Sequence, residues 1–575
     1  MKPYRWFLAL TILLLLVESM AVLYLPTIMA DIVNNGIMRG VTEGTPQTAY
    51  ILQMGLLMLA VTLVSGLASV GAGYLSPRIS AGMARDLRRD LFNKVESFSQ
   101  KEFDSFSSAS LITRCTNDVN QVQSLANVAA RMLFFAPIMG IGGIIMAASR
   151  AVSMSWIIAL AVIVLIGFVV VIVPIVMPRF RLIQGMVDKL NKIARETLHG
   201  LMVIRAFGTQ AHEKARFDQS NRDILDISLF VARVMAIVAP AMTFILGGTQ
   251  LLVVWVGAHQ IADSGLQIGD MMAFMQYSMS VIFAFMMISM VMVMIPRAAV
   301  SAGRIVEVLD SVPAITDPEV PVAFDPKLQG VVSFNDVCFR YPGAETDALS
   351  HISFTALPGQ TTAIIGPTGS GKSTVAQLLL RFYDTTSGNI IVDGADIRQV
   401  KQADLREKIG YIPQKGQLIS GTVASNIRYG RPEATDEEIT TVATVAQAMP
   451  FIEEKPEGLE AEIGQRGGNV SGGQRQRLSI ARALAKNPEI LVFDDSFSAL
   501  DFQTDVKLRR ALREHSADTT IIVIAQRVGT IMQAEQILVL DEGKIVGQGT
   551  HKELLNACPA YYEIASSQGN IEQSV

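Results

Sequence analysis

Apolar residues gather in six long runs along the first half of the chain, near 6–30, 51–75, 132–149, 156–178, 235–258 and 271–296. Runs of this kind wind into helices that cross about 30 Å of hydrocarbon, so the pattern predicts six membrane spans. The first run follows Lys2 and Arg5 as a secretory leader would, yet it continues to about Ala30 without a small-residue cleavage site. It is read as a retained span. The connections between spans two and three and between spans four and five are long, mix charge with helical periodicity and lack Gly/Pro-rich stretches. They predict helices that continue beyond the bilayer.

The pattern changes after the sixth run. Residues 311–328 are polar and carry Pro313, Pro318, Pro321 and Pro326, the composition of a linker. The domains expected are therefore 1–310 in the membrane, 311–328 as linker and 329–575 as a soluble domain. Within the last, Thr362–Ile365, Ile490–Phe493 and Ile521–Ile524 are short, continuous apolar runs separated by helical stretches. Such runs suit a parallel sheet buried on both faces. The fold class expected is an all-α six-helix transmembrane domain followed by an α/β domain.

Composition narrows the function. Half of the 575 residues are apolar, which excludes a wholly soluble protein. The net charge is −4 and the basic residues form no arm or patch, so nucleic acid is not an expected partner. In the membrane half, Lys and Arg crowd the N-terminus, the two long connections and the stretch after Pro296, whereas the short opposite loops hold only Arg39 and Arg150. The positive-inside rule then puts both termini and the soluble domain in the cytoplasm of a cell whose inner or plasma membrane holds the spans. Cys115, Cys338 and Cys558 are scattered, with neither metal-ligand nor disulfide spacing, and read as ordinary thiols.

Gly366-Pro367-Thr368-Gly369-Ser370-Gly371-Lys372-Ser373-Thr374 is a phosphate loop. Its glycines let backbone N–H groups approach phosphate oxygens, Lys372 reaches the β and γ phosphates, and Ser373 is placed to ligate Mg²⁺. Ile490–Asp494 is an apolar strand ending in a carboxylate, suited to touch the same ion. Between them Ser471-Gly472-Gly473-Gln474 opens a helix whose free N–H groups and positive dipole end suit a γ-phosphate.

With these motifs the chain resembles a half-transporter of the ATP-binding cassette exporter superfamily over essentially its whole length. The resemblance adds Tyr341 as an adenine-stacking aromatic, Gln414 as a Mg²⁺ sensor and ligand beside Ser373 and Asp494, and Ser498-Ala499-Leu500-Asp501 as a dimer-contact loop. Glu462 falls where the family senses the membrane domain, and the turns near 98–110 and 206–217 correspond to coupling helices. The cofactors implied are ATP and Mg²⁺. The partners implied are a second half-transporter, the lipid bilayer and a hydrophobic or amphipathic substrate such as a drug or lipid.

Two residues depart from the family. Asp495 stands where a catalytic Glu orients the attacking water, and Gln526 where a switch His contacts the γ-phosphate. A carboxylate one methylene short is withdrawn by about 1 Å, enough to cost about 10²-fold in rate. Glutamine donates a hydrogen bond but carries no proton or positive charge. Both changes strike the nucleotide held by this chain's own phosphate loop, while Ser471, Gly472, Gly473 and Gln474 are intact. The expectation is a degenerate-site subunit of a heterodimeric exporter that completes a competent site in its partner. A slowly hydrolysing homodimer, or an importer of metal chelates built on the exporter fold, is the alternative.

In the membrane half, Glu18 lies mid-span and reads equally as a cation-binding acid or an interhelix hydrogen-bonding group. The sixth span holds nine of the 27 methionines, between Met271 and Met294, which suits either packing or contact with varied apolar ligands.

Overall fold

The computed structural model describes residues 2–45, 47–263 and 265–568. It divides into two compact units: residues to Glu96 with Ala109–Ser311, and Ser97–Ser108 with the chain from Val312 onward.

Among the described residues, six helices are long and apolar enough to cross a membrane: Arg5–Glu43, Thr48–Glu96, Ser108–Arg150, Val152–His199, Gln210–Ala262 and Ile268–Asp310. They are numbered here as spans one to six. The Thr48–Glu96 helix has 49 residues, so it extends for about 73 Å, far beyond the hydrocarbon. The apolar runs are thus the middles of longer helices. Gly140 and Gly143 let span three approach span six: a Cβ on Gly143 would lie 2.9 Å from Val281 Cγ2, and one on Gly140 3.4 Å from Ala284 Cβ. At one end Arg150 Nη1 donates to Asp31 Oδ1 at 3.2 Å and Asp270 Oδ1 at 3.0 Å, joining spans one, three and six. Toward the other end Ser301 donates to buried Asp118 at 2.7 Å and Arg114 pairs with Glu307 at 2.8 Å, joining spans three and six again.

The second unit is built on a six-stranded sheet. Its strands, with those of two smaller sheets, are β1 (Val332–Phe339), β2 (Leu349–Ala356), β3 (Thr361–Ile365), β4 (Ser387–Val392), β5 (Ala395–Asp396), β6 (Ile409–Ile412), β7 (Gly421–Thr422), β8 (Glu462–Ile463), β9 (Ile490–Asp494), β10 (Thr520–Ile524), β11 (Gln536–Asp541) and β12 (Lys544–Gly549). The large sheet runs β12-β11-β3-β10-β9-β6, with all pairs parallel except β11–β12. The three apolar runs read from the sequence are its neighbours β3, β10 and β9, and β9 is buried at every position. Sheet β2-β1-β4-β5 is antiparallel and shares a core, around Phe334 and Phe354, with one face of the large sheet.

The proline-rich stretch expected as a linker is hydrogen-bonded to this unit. Val322 N donates to Gln399 O at 2.9 Å, Asp325 N to Asp393 O at 2.8 Å, and Gln402 N to Asp317 Oδ1 at 3.1 Å. Proline removed donors without removing the remaining N–H groups and carbonyls, and these bind the sheet edge. The short helix Gln100–Phe106, in the first expected coupling turn, also belongs here rather than with 1–310. Tyr383 donates to Asp104 Oδ2 at 2.6 Å and Ala314 N to buried Glu102 at 3.1 Å. The second expected turn, 206–217, lies in the first unit, where helix Leu201–Ala206 gives way to Gln210–Ala236.

Candidate nucleotide site

The adjacent parallel strands β6, β9 and β10 end at the same edge of the sheet and deliver four of the expected residues. Gln414 follows β6, Asp494 closes β9, Asp495 follows it and Gln526 lies two residues beyond β10. This edge, at the carboxyl ends of parallel strands, is where open α/β sheets bind ligands. Asp495 takes a left-handed backbone with φ 46°, which aspartate tolerates, and its N–H donates to Ile524 O at 2.8 Å. The turn so held presents two consecutive carboxylates.

From β3 the phosphate loop leads into the helix Lys372–Leu379. A Cβ on Gly366 would meet Leu540 O at 2.0 Å, and Gly371, at φ 96°, would meet Ala348 O at 2.6 Å, so neither position admits another residue unchanged. Lys372 is buried and donates to the carbonyls of Gly366 and Pro367 at 2.8 and 2.7 Å. Burial lowers its pKa, partly opposed by the charges of Asp495 and Asp494. Ser370 Oγ, also within the loop, is buried with no hydrogen-bond partner.

Ser373 Oγ donates to Asp494 Oδ1 at 2.8 Å, and Tyr411 donates to Asp494 Oδ2 at 3.3 Å. Burial raises the pKa of Asp494 against the lowering effect of these two bonds. Tyr411 is pushed up as well, by burial first and by the charge of Asp494 second. Asp495 Oδ2 accepts from Gln414 Nε2 at 3.1 Å and from Gln526 Nε2 at 3.0 Å. Tyr341 lies beside the loop. Its hydroxyl meets Thr374 Oγ1 at 3.0 Å and donates to Gln377 Oε1 at 2.9 Å, and its ring meets Phe339 and Tyr383 edge-on.

Ser471, Gly472, Gly473 and Gln474 open the helix Gly472–Ala485 through a capping box: Gln474 N donates to Ser471 Oγ at 3.2 Å and Ser471 N to Gln474 Oε1 at 3.0 Å. The four are not joined to the cluster around the phosphate loop by these bonds. Gly473 instead lies close to Ala499, whose carbonyl oxygen would sit 3.3 Å from an added Cβ. Asp501 caps Phe502–His515 by accepting from Thr504 N at 2.9 Å. Glu462 lies in the two-residue strand β8, paired with Thr422, its side chain exposed.

Three contacts in this region involve residues to which the sequence reading gave no role. Buried Gln476, two residues beyond Gln474, donates to Pro413 O at 3.0 Å and accepts from Gly416 N at 2.9 Å, so it ties the Gly472–Ala485 helix to the segment that carries Gln414. Tyr411 and Tyr383 are the others, reaching Asp494 and Asp104. Only the place of Gln476 on the signature helix hinted at its role. A groove of about 730 Å³ runs past Gln414, Gly416, Gln476, Arg475 and Gly472, with Ser108 on its wall.

The family model of the ABC transporter transmembrane region matches residues 8–285, and that described as ABC transporter matches residues 349–498. An uncharacterised ABC transporter ATP-binding protein of Mycobacterium tuberculosis is 41% identical over 99% of this chain and 97% of its own. The chain belongs to the ABC transporter family. Its six spans followed by a nucleotide-binding domain are the exporter arrangement: a solved bacterial Atm1-family ABC exporter with ATP bound superposes with a TM-score of 0.82 at 26% identity, over 98% of each chain. An ATP-dependent lipid A-core flippase of Pseudomonas fluorescens is 34% identical over 89% of this transporter and 85% of its own length.

As an ABC protein the transporter hydrolyses ATP to drive transport, and its residues fit the nucleotide and its ion. Asp494 is a buried carboxylate bonded only to hydroxyl groups, beside a second carboxylate, an arrangement that a divalent cation satisfies. Oxygens of Ser373, Asp494 and Gln414 would hold Mg²⁺, which would neutralise phosphate charge. The unpartnered Ser370 hydroxyl and the Lys372 ammonium would face the phosphates.

Proposed function

We propose that this chain is one half of an exporter of hydrophobic or amphipathic compounds, paired with a different half-transporter, and that its own phosphate loop holds ATP at a site of weak hydrolysis. The observation carrying this reading is Asp495, whose Oδ2 already accepts amide protons from Gln414 and Gln526. A base must aim a lone pair at the attacking water. Here the side chain is one methylene short, and the residue in the switch position gives one of its two amide N–H groups to the base. Lys372, Ser373 and Asp494 retain the binding half of the chemistry, while Ser471-Gly472-Gly473-Gln474 close over ATP held by the partner.

Closure of the paired domains around ATP shifts the membrane helices, because the nucleotide has higher affinity for the closed state. Cargo enters from the apolar membrane half, where the methionine-rich sixth span offers adaptable contacts. The name of the lipid A-core flippase supports a hydrophobic cargo. The charge bias of the loops supports a cytoplasmic nucleotide-binding domain.

The test is the intact mass of the complex extracted gently from native membranes by a tag on this chain. An assembly containing a second, different half-transporter with Glu at the base position supports the reading. A dimer of this chain alone overturns the heterodimer and leaves all hydrolysis to Asp495 and Gln526.

A further inference from the structure

Glu18 lies midway along the helix Arg5–Asp31, roughly 20 Å of helix from either charged end. It is only 8% exposed, and its Oε2 has no hydrogen-bond partner. An ionised acid at mid-membrane depth costs about 2.5–3.5 kcal/mol on insertion scales and is normally paired or hydrogen-bonded. The interhelix hydrogen bond that would make this oxygen structural is not there, and among the described residues no ion pair reaches Glu18.

Its surroundings follow from the helix register. Leu23 lies against Gly142 and Asp31 bonds Arg150, so the same parallel offset brings Pro137 of span three level with Glu18. Gly143 against Val281 and Gly140 against Ala284 define the antiparallel offset to span six, which brings Met287 to that level and Phe285 within a turn of it, both packed in the cluster that holds Leu23 of span one. Pro137 has no N–H to give the carbonyl of Leu133, so this depth gains an acceptor and no donor. A carboxylate, a released carbonyl, a thioether and an aromatic ring share one electrostatic preference. All attract positive charge; the cation nearest this depth, Arg131 of span three, donates to Ser69 Oγ of span two at 3.3 Å and makes no described bond to Glu18.

We propose that Glu18 is the charge-recognising residue of a binding site for amphipathic organic cations in the membrane half. The site takes a quaternary or protonated amine, or a phosphonium, whose apolar groups pack against span six while the charge meets Oε2. The inference rests on the exporter reading above and names its substrate class.

The experiment uses the transporter purified by a tag on this chain, with whatever subunit it retains, in lipid nanodiscs and inverted vesicles. Binding and ATP-dependent accumulation are followed for tetraphenylphosphonium and for neutral triphenylphosphine oxide. The wild type binds the cation at least about tenfold more tightly than the oxide, equivalent to about 1.4 kcal/mol. Glu18→Gln removes that preference and leaves oxide affinity within about twofold, while Glu18→Asp keeps the preference. Equal wild-type affinity for the two compounds, or an unchanged cation preference in Glu18→Gln, overturns the proposal, and the first readout stands even where the glutamine variant does not assemble. Accumulation of the oxide without cation preference defeats the cation site alone; accumulation of neither compound during ATP hydrolysis defeats the exporter reading with it.

Discussion

Gln526 donates its side-chain amide to Asp495 Oδ2 at 3.0 Å, so the two residues that depart from the family pattern are bonded to each other. A glutamate would extend past this contact, and a histidine would present a ring nitrogen that gains or loses a proton. The pair therefore acts as a unit. Asp495→Glu with Gln526→His is expected to raise ATP turnover at this site by about 10²-fold, with each single change giving much less than half of that gain in free energy. Single-turnover ATP hydrolysis by the purified transporter, with the other site's phosphate-loop lysine replaced, measures it; additive single effects would contradict the coupling.

Asp494 is buried at a cost to the stability of the nucleotide-free protein. Its folded pKa is raised by burial, so protonation favours the folded state: the stabilisation is fully present below the ordinary aspartate value and is lost as pH rises through the raised one. Asp494→Asn is accordingly expected to raise the Tm of the nucleotide-free protein at neutral pH. The same variant should lose the Mg²⁺·ATP stabilisation, which is about 2.7 kcal/mol in the wild type at a ligand concentration of 100 Kd. Thermal unfolding with and without Mg²⁺·ATP, from mildly acidic to neutral pH, tests both signs.

Gln476→Leu removes the acceptor of Gly416 N and the donor to Pro413 O. Each group left unsatisfied costs about 1–3 kcal/mol. A lowered Tm is expected together with weaker stimulation of ATP hydrolysis by substrate, because Gln414 lies between the two anchored residues. Unaltered stimulation in a folded variant would argue against a link between the signature helix and Gln414.

Tyr383→Phe deletes one hydroxyl, and with it the bond to Asp104 on the helix Gln100–Phe106. Hydrogen bonds to charged groups contribute about 1.5–3 kcal/mol. Basal ATP hydrolysis is expected to persist while transport per ATP falls several-fold, about 4- to 13-fold if half the bond energy serves coupling. Simultaneous measurement of hydrolysis and vesicle accumulation separates this from general loss of activity, in which both fall together.

Lys372→Ala removes the ammonium now held by the carbonyls of Gly366 and Pro367. If this site is the weakly hydrolysing one, transport is expected to fall less than it does when the other site's lysine is replaced. Equal loss of hydrolysis from the two changes would remove the asymmetry.

Much of this protein is determined by local and periodic information in its sequence. Apolar runs dictate spans because no unpaired backbone survives in lipid, and the strands β3, β9 and β10 are continuous apolar segments because both faces are covered. The phosphate loop and the signature helix are legible for the same reason: their chemistry is carried by neighbouring residues, through backbone N–H groups and a capping box. Tertiary structure alone decided what residues far apart in sequence do to one another. Gln414, Asp495 and Gln526 meet because β6, β9 and β10 are adjacent, an order that no single strand encodes. The stretch 311–328 reads as a linker by composition and is fixed by hydrogen bonds whose acceptors lie on other segments. Glu18 could have been either a bonded or an unpaired acid; helix packing decided that its Oε2 is buried without a partner, since only register determines which side chains share its depth.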